Sequence, residues 1–125
     1  MVLDAWAWVE YLGGTKAGER VKKIIEGQAE VWTSLITLSE VVSRVGRSGK
    51  DVRLAASAIT TLSRLGAPDL EDATEAGILH SKLKPLRPNF SLADSYVLQL
   101  ARKVGAKVLT GDPDFEGIKE AELLR

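Results

Sequence analysis

Four acidic residues spread along the chain are the side chains best suited to chemistry: Asp4, Glu40, Asp94 and Asp112. Taken singly, each has an ordinary explanation, because acids often cap helices or occupy turns. Brought together, several carboxylates would raise one another's pKa unless cations neutralised them, and Mg²⁺ or Mn²⁺ accepts such oxygen ligands. A site of this kind suits hydrolysis of a phosphodiester, because bound cations can activate water and stabilise the leaving oxygen.

The composition excludes several other kinds of catalysis. The chain has no cysteine, so thiolate zinc sites, disulfides and cysteine nucleophiles are ruled out. Its single histidine, His80, rules out paired-histidine RNA cleavage within one chain. The net charge is zero, so a nucleic-acid surface would have to be local.

Residues 91–115 are predicted to hold two of the four acids at the ends of a helix–turn–strand unit. Ser91 has the features of a helix N-cap with Asp94 in the first turn, and Gly105 ends the helical pattern. The following strand at 107–109 would be buried, and Thr110 and Asp112 lie just beyond it. In a parallel sheet, ligands bind beyond the carboxyl ends of the strands. Thr110 could therefore support the site through its hydroxyl, or simply end the strand.

The other two acids follow earlier predicted strands. Val2 and Leu3 form a short strand that ends at Asp4, before a helix over 5–12. A strand over 30–34 precedes a helix in which Thr37 and Glu40 have capping-box spacing, which places Glu40 in the first turn. The remaining pattern predicts helices over 15–26, 51–66 and 72–84, a third strand at 68–70 and an edge strand over 121–125.

Strands alternating with helices predict an α/β fold, a three-layer α/β/α domain whose central, mainly parallel sheet has about four to five strands. The length of 125 residues indicates one domain over 1–125. No apolar run reaches the roughly 18 residues of a membrane helix, and the N-terminus lacks a basic leader, so we expect a cytoplasmic protein without membrane association. A parallel sheet would let all four acids converge at one end.

Basic and aromatic residues offer further candidates. Trp6 and Trp8 lie near Asp4 and could stack on a base or meet a partner helix, but helical spacing keeps them from facing the same way, so we expect at least one in the core. Trp32 is expected in the core. Two basic groups could track an RNA backbone or form solvated helix faces: Arg44, Arg47, Lys50 and Arg53, and Lys82, Lys84 and Arg87.

Three segments resemble the PIN-domain family of metal-dependent ribonucleases, especially the VapC-type toxins of VapBC toxin–antitoxin pairs: VLDAWAWVEYL, LITLSEVVSRV and SLADSYVLQLARKVGAKVLTGDPDF. The resemblance implies a parallel sheet flanked by helices, Mg²⁺ or Mn²⁺ as cofactor, and single-stranded or loop RNA as substrate. It also implies a small VapB-type antitoxin seated in the active-site groove, and a homodimer. By resemblance, the metal-binding quartet is Asp4, Glu40, Asp94 and Asp112, with Asp114 as an auxiliary acid.

One departure from the family pattern leaves alternatives open. Many relatives have Ser or Thr directly after the first acid, where this chain has Ala5. A catalytically weak PIN-like module that binds RNA or protein is therefore one alternative. A Mg²⁺-dependent phosphate-handling domain is another, although the DPD segment at 112–114 does not follow the first strand as in phosphatases. A receiver domain would need a lysine at the end of its last strand, and none is placed there.

Overall fold

A computed structural model describes residues 1–124, which form an all-parallel sheet of five strands. The strands are β1 Val2–Leu3, β2 Trp32–Ser34, β3 Arg64–Gly66, β4 Val108–Thr110 and β5 Ala121–Leu123. Their order across the sheet is β3-β2-β1-β4-β5, and every neighbouring pair is parallel. The predicted edge strand is confirmed as β5, while Arg125 of that prediction lies outside the described residues.

Helices cover both faces of this sheet. They are α1 Ala5–Leu12, α2 Lys16–Glu26, α3 Leu35–Arg47, α4 Val52–Leu62, α5 Leu70–Leu83 and α6 Leu92–Val104, with a 3₁₀ turn at Pro113–Phe115. Within residues 1–124, no helix has both the length and the apolar character needed to cross a membrane. The predicted three-layer α/β/α fold is confirmed.

The two faces of the sheet have separate hydrophobic cores, because successive residues of a strand point to opposite sides. Val2 and Val108 join the cluster under α5 and α6. Leu3 and Leu109 join the cluster formed with α1 to α4, in which Trp8 is fully buried. Each fully buried side chain of this size contributes about 1.5–3 kcal/mol. The central strands β1 and β4 are therefore firmly held, and with them the residues that follow.

The sequence-based assignment of residues 63–70 is wrong. The predicted helix ends at Leu62 rather than Gly66, and Arg64–Gly66 is strand β3. Ser63 is extended, and its Oγ lies 2.7 Å from Thr33 Oγ1 on the neighbouring strand. The predicted strand at 68–70 is absent, because Asp69 instead forms a capping box with Asp72 that starts α5.

Two smaller expectations also fail. The predicted capping box of Thr37 and Glu40 does not form, because Ser34 is the N-cap and accepts from the Ile36 amide at 3.3 Å. Glu40 therefore lies in the second turn of α3, not in the first. Trp32 is only partly buried at the margin of the core, where the Arg64 guanidinium lies 4.8 Å from its ring centroid.

Candidate active site

The strand order creates a crevice next to two of the predicted acids. The chain runs outward from β1 through β2 to β3, then crosses to β4 and β5 on the other side. Ligands in open α/β sheets bind at such a reversal, beyond the carboxyl ends of the strands. Asp4 directly follows β1, and Asp112 follows β4 after one residue. The fold thus brings these two acids to the same edge of the sheet.

Asp4 is the most buried of these acids, with only 4% of its surface exposed. It is the N-cap of α1: its Oδ1 accepts from the Ala7 amide at 2.9 Å, and its Oδ2 accepts from the Thr110 hydroxyl. Burial raises the pKa of Asp4 from 3.8 to about 7, against the effect of these hydrogen bonds and with added repulsion from Asp94 and Asp112. Asp4 is therefore rigidly placed, and its negative charge is costly without a nearby cation.

Thr110 joins the two strand ends through a single hydroxyl. While it donates to Asp4, its Oγ1 also accepts from the Asp112 amide at 2.9 Å. Asp112 in turn caps the 3₁₀ turn, with its Oδ1 accepting from the Asp114 amide at 2.9 Å. Of the two roles considered for Thr110, the structure shows it holding a carboxylate, and it also lies within β4.

Arg87 secures the far side of the same loop. Its Nη1 donates to the carbonyl oxygens of Asp114 at 2.9 Å and Glu116 at 2.6 Å. Below the loop, Phe115 is fully buried with its ring centroid 5.3 Å from that of Phe90. The loop that carries Asp112 and Asp114 is thus fixed from both sides.

Asp94 faces this loop from the first turn of α6. It forms the predicted capping box with Ser91: the Ser91 amide donates to Asp94 Oδ2 at 2.9 Å, and the Asp94 amide donates to Ser91 Oγ at 3.0 Å. One carboxylate oxygen from each of Asp94, Asp112 and Asp114 lies within 4.8 Å of the others. Burial raises the pKa of Asp94, and repulsion from Asp112 and Asp114 adds to the rise. Asp114 is therefore a full member of the tightest acidic group.

Glu40 lines the same cleft from α3. Partial burial raises its pKa, repulsion from Asp94 and Asp112 adds to the rise, and Arg44 opposes it. Glu40 does not belong to the three-carboxylate group formed among the described residues. The structure thus brings the four predicted acids to one cleft, but Glu40 and Asp4 flank a tighter group that includes Asp114.

The cleft has a volume of about 540 Å³, and most of the residues that line it are polar or charged. Five carboxylates face two guanidinium groups in it, so its walls repel anions. An all-oxygen donor set, in which burial raises the pKa of Asp4, Glu40 and Asp94, fits a divalent cation, which would offset this repulsion. The lining residues are Asp4, Ala5, Trp6, Ser39, Glu40, Ser43, Arg44, Arg47, Asn89, Ser91, Asp94, Asp112 and Asp114.

The predicted basic residues do not all lie at the cleft. Arg44 and Arg47 line the cleft, whereas Lys50 lines a different pocket between α1, α3 and α4. Lys84 and Arg87 donate to backbone carbonyls, the former to Phe90 at 3.4 Å. The α3 pair thus faces the acids, and Arg87 has the structural role described above.

Trp6 and Trp8 point to different parts of the molecule, as their helical spacing predicted. Trp8 lies in the core and its Nε1 donates to Thr33 Oγ1 at 3.0 Å. Trp6 lines the cleft.

Sequence reasoning missed three polar residues of the cleft. Ser39 and Ser43 share a helix face with Glu40 and Arg44. Ser43 lies three residues after Glu40 and four before Arg47, and Ser39 lies four before Ser43, which was a usable signal for one helix face. Asn89 comes from the Pro-interrupted loop before α6, where no periodicity points to it.

Comparison with known proteins places this geometry in a family. The family model described as the PIN domain matches residues 1–121, whereas no curated protein matches. A toxin–antitoxin complex from Klebsiella pneumoniae is similar, with a TM-score of 0.79 and 17% identity, covering 99% of this chain and 97% of that chain. Mycobacterium tuberculosis VapC20, a sarcin-ricin loop cleaving toxin, has a TM-score of 0.79 and 21% identity, covering 99% and 98%. These structures share the fold, and the match over nearly the whole length shows that the chain belongs to the PIN domain family.

Proposed function

We propose that this chain is a Mg²⁺- or Mn²⁺-dependent endoribonuclease that hydrolyses RNA phosphodiester bonds, and that it is the toxin of a type II toxin–antitoxin pair. The observation that carries the proposal is the convergence of five carboxylates in one cleft at the strand-order reversal of a PIN domain. The two similar structures, a toxin–antitoxin complex and a toxin, support the toxin role.

Asp4, Glu40, Asp94 and Asp112 are the proposed metal ligands, with Asp114 joining Asp94 and Asp112 in the tight group. When bound, the divalent cation supplies an activated water and offsets the negative charge that develops on the phosphate. The Thr110 hydroxyl fixes the orientation of the Asp4 carboxylate, so the site is preorganised before metal binds.

Three further parts of the proposal follow from the toxin role. A small VapB-type antitoxin would occupy the cleft and so block access to the acids. A cytoplasmic location goes with the proposal, because the RNA substrate is there. A homodimer remains a prediction that sedimentation of the purified protein would test directly.

The test is cleavage of a panel of structured and single-stranded RNAs in Mg²⁺, Mn²⁺ or EDTA, comparing the wild type with Asp94→Asn. The chain offers a matched control. Asp72 occupies in the capping box of α5 the position that Asp94 occupies in that of α6, but it lies outside the cleft. We expect metal-dependent cleavage that is lost in Asp94→Asn and kept in a folded Asp72→Asn protein.

Other outcomes would favour the alternatives. A folded protein that binds Mn²⁺ but cleaves no RNA would favour a catalytically weak PIN-like module that binds RNA or protein. Transfer of a phosphoryl group from a small phosphodonor would favour a phosphate-handling domain. The strand order already argues against a receiver domain, since receivers have the order 2-1-3-4-5 and this sheet has β3-β2-β1-β4-β5.

A further inference from the structure

Trp6 packs directly against the loop that carries the catalytic acids. A Cβ atom built on Gly111 would lie 2.3 Å from Cζ2 and Cη2 of the Trp6 indole, far inside contact distance. Gly111 does not have a positive φ, so the need for glycine arises from the indole and not from the backbone conformation. Cε2 of the same ring lies at 2.5 Å, so the Cβ position is over the face of the six-membered ring, and one face of the Trp6 indole is covered by Gly111.

The wall formed by Trp6 differs chemically from the rest of the cleft. Ala5 and Trp6 are the apolar residues among those that line it, and the others are polar or charged. Trp6 is partly exposed although it packs on Gly111, so part of its surface remains open to the cleft. Because Ala5 carries no hydroxyl, this wall offers little to a phosphate and favours the flat, apolar face of a base.

Cationic side chains from α3 line the same cleft. Arg44 and Arg47 are exposed on α3 and line the same cleft. Guanidinium groups bind phosphate oxygens without reading sequence. The cleft thus combines an aromatic surface, acidic groups and cations.

We propose that Trp6 is a nucleobase-stacking subsite next to the scissile phosphate, with Arg44 and Arg47 holding neighbouring phosphates. This inference rests on the proposed function and assigns to Trp6 the recognition of an unpaired nucleotide beside the cut, because a base inside a duplex cannot present its face to an indole. Trp6 would therefore select unpaired RNA and position the strand, while the carboxylates carry out the chemistry.

The first experiment reads Trp6 fluorescence on stopped-flow mixing with a single-stranded RNA of about ten nucleotides, before cleavage proceeds. We expect quenching by single-stranded RNA that is lost in Trp6→Phe and kept in Trp32→Phe, since Trp32 lies in a different pocket beside β3. The same sequence as a blunt duplex should not quench. This readout does not require cleavage, so it separates failure of the subsite from failure of the ribonuclease proposal.

The second experiment moves one abasic nucleotide along the same RNA and measures binding and KM. At one position the missing base should weaken wild-type binding about 5- to 100-fold, as expected for one stacked base. The same substitution should have no further effect in Trp6→Ala, which a merely structural role would not produce. Trp6→Phe keeps a ring and should retain most of the affinity, which guards against a folding defect in Trp6→Ala. Equal abasic penalties in wild type and Trp6→Ala, or quenching that survives in Trp6→Phe, would overturn the proposal.

Discussion

The Asp4→Asn substitution is expected to stabilise the metal-free protein while abolishing its proposed activity. Asp4 is almost fully buried, and its pKa is raised from 3.8 to about 7. The pKa of Asp4 is higher in the folded protein than in the unfolded chain. Between pH 3.8 and about pH 7, the folded protein therefore holds a proton on Asp4 that the unfolded chain has lost. The free energy of unfolding therefore falls as the pH rises through this window. Asparagine removes this loss, because it cannot ionise.

The size of the stabilisation expected for Asp4→Asn follows from the pKa shift of Asp4. A pKa change from 3.8 to about 7, at about 1.4 kcal/mol per unit, corresponds to a cost of about 4 kcal/mol for the charged carboxylate above pH 7. Burial is the largest cause of this shift, and repulsion from Asp94 and Asp112 adds to it, so we expect a gain of about 2–4 kcal/mol in Asp4→Asn at pH 8. The Ala7 and Thr110 hydrogen bonds can persist, since the amide oxygen accepts from Ala7 and the Thr110 hydroxyl can rotate to accept.

The assay is urea unfolding at pH 8 and at about pH 4, in EDTA and in Mn²⁺. In EDTA the variant should be the more stable protein at pH 8, and the difference should nearly vanish at about pH 4, where wild-type Asp4 is also neutral. Mn²⁺ at 100 times its dissociation constant would add about 2.7 kcal/mol to the wild type and much less to a variant that binds it weakly. Metal should therefore reduce or reverse the advantage of the variant.

A matched control separates this effect from the loss of a helix cap. Asp51 caps α4 by accepting from the Arg53 and Leu54 amides, but it is exposed and outside the cleft. Asp51→Asn should change stability by less than about 0.5 kcal/mol at either pH, because Asn caps as well as Asp. A variant Asp4→Asn that is less stable than wild type in EDTA at pH 8, or that gains as much from Mn²⁺ as wild type does, would refute the reasoning.

Three further substitutions test the supports of the site. Gly111→Ala should destabilise by about 1–3 kcal/mol in urea unfolding, because its Cβ would overlap the Trp6 ring, and the Trp6→Ala background should remove most of this cost. Trp8→Phe should cost about 1–3 kcal/mol by the same assay, since it leaves a gap in the core and deletes the hydrogen bond to Thr33. Arg87→Met should weaken Mn²⁺ binding, measured by calorimetry, because the acidic loop loses both of its guanidinium hydrogen bonds; unchanged affinity would contradict this account.

The parts of the fold predicted correctly from the sequence depend on local signals. Ser91 and Asp94 lie three residues apart and form their capping box as predicted, and Gly105 ends α6 with φ 67°. Asp4 follows a short apolar strand and caps the next helix. In each case the residues that determine the structure are neighbours along the chain.

The errors come from interactions between distant residues. The sequence over 51–66 continues a helical pattern, but the helix ends where Ser63 contacts Thr33, a residue 30 positions earlier. Strand β3 is then defined by its pairing with β2, which no pattern within its own three residues indicates. The capping spacing of Thr37 and Glu40 was misleading because Ser34 had already capped α3. Thr37 Oγ1 is buried without a hydrogen-bond partner among the described residues.

The capping role of these acids and their proposed catalytic role are therefore compatible. Asp4, Asp94 and Asp112 each cap a helix or turn, which fixes their carboxylates in place through backbone amides. The same caps point all three into one crevice, because the helices and the turn begin beside the reversal in strand order. Asp51, which caps α4 outside the cleft, is exposed to solvent. Asp4 and Asp94 instead have raised pKa values from burial and mutual repulsion. Capping alone does not explain that cost, whereas the proposed binding of a divalent cation would offset it.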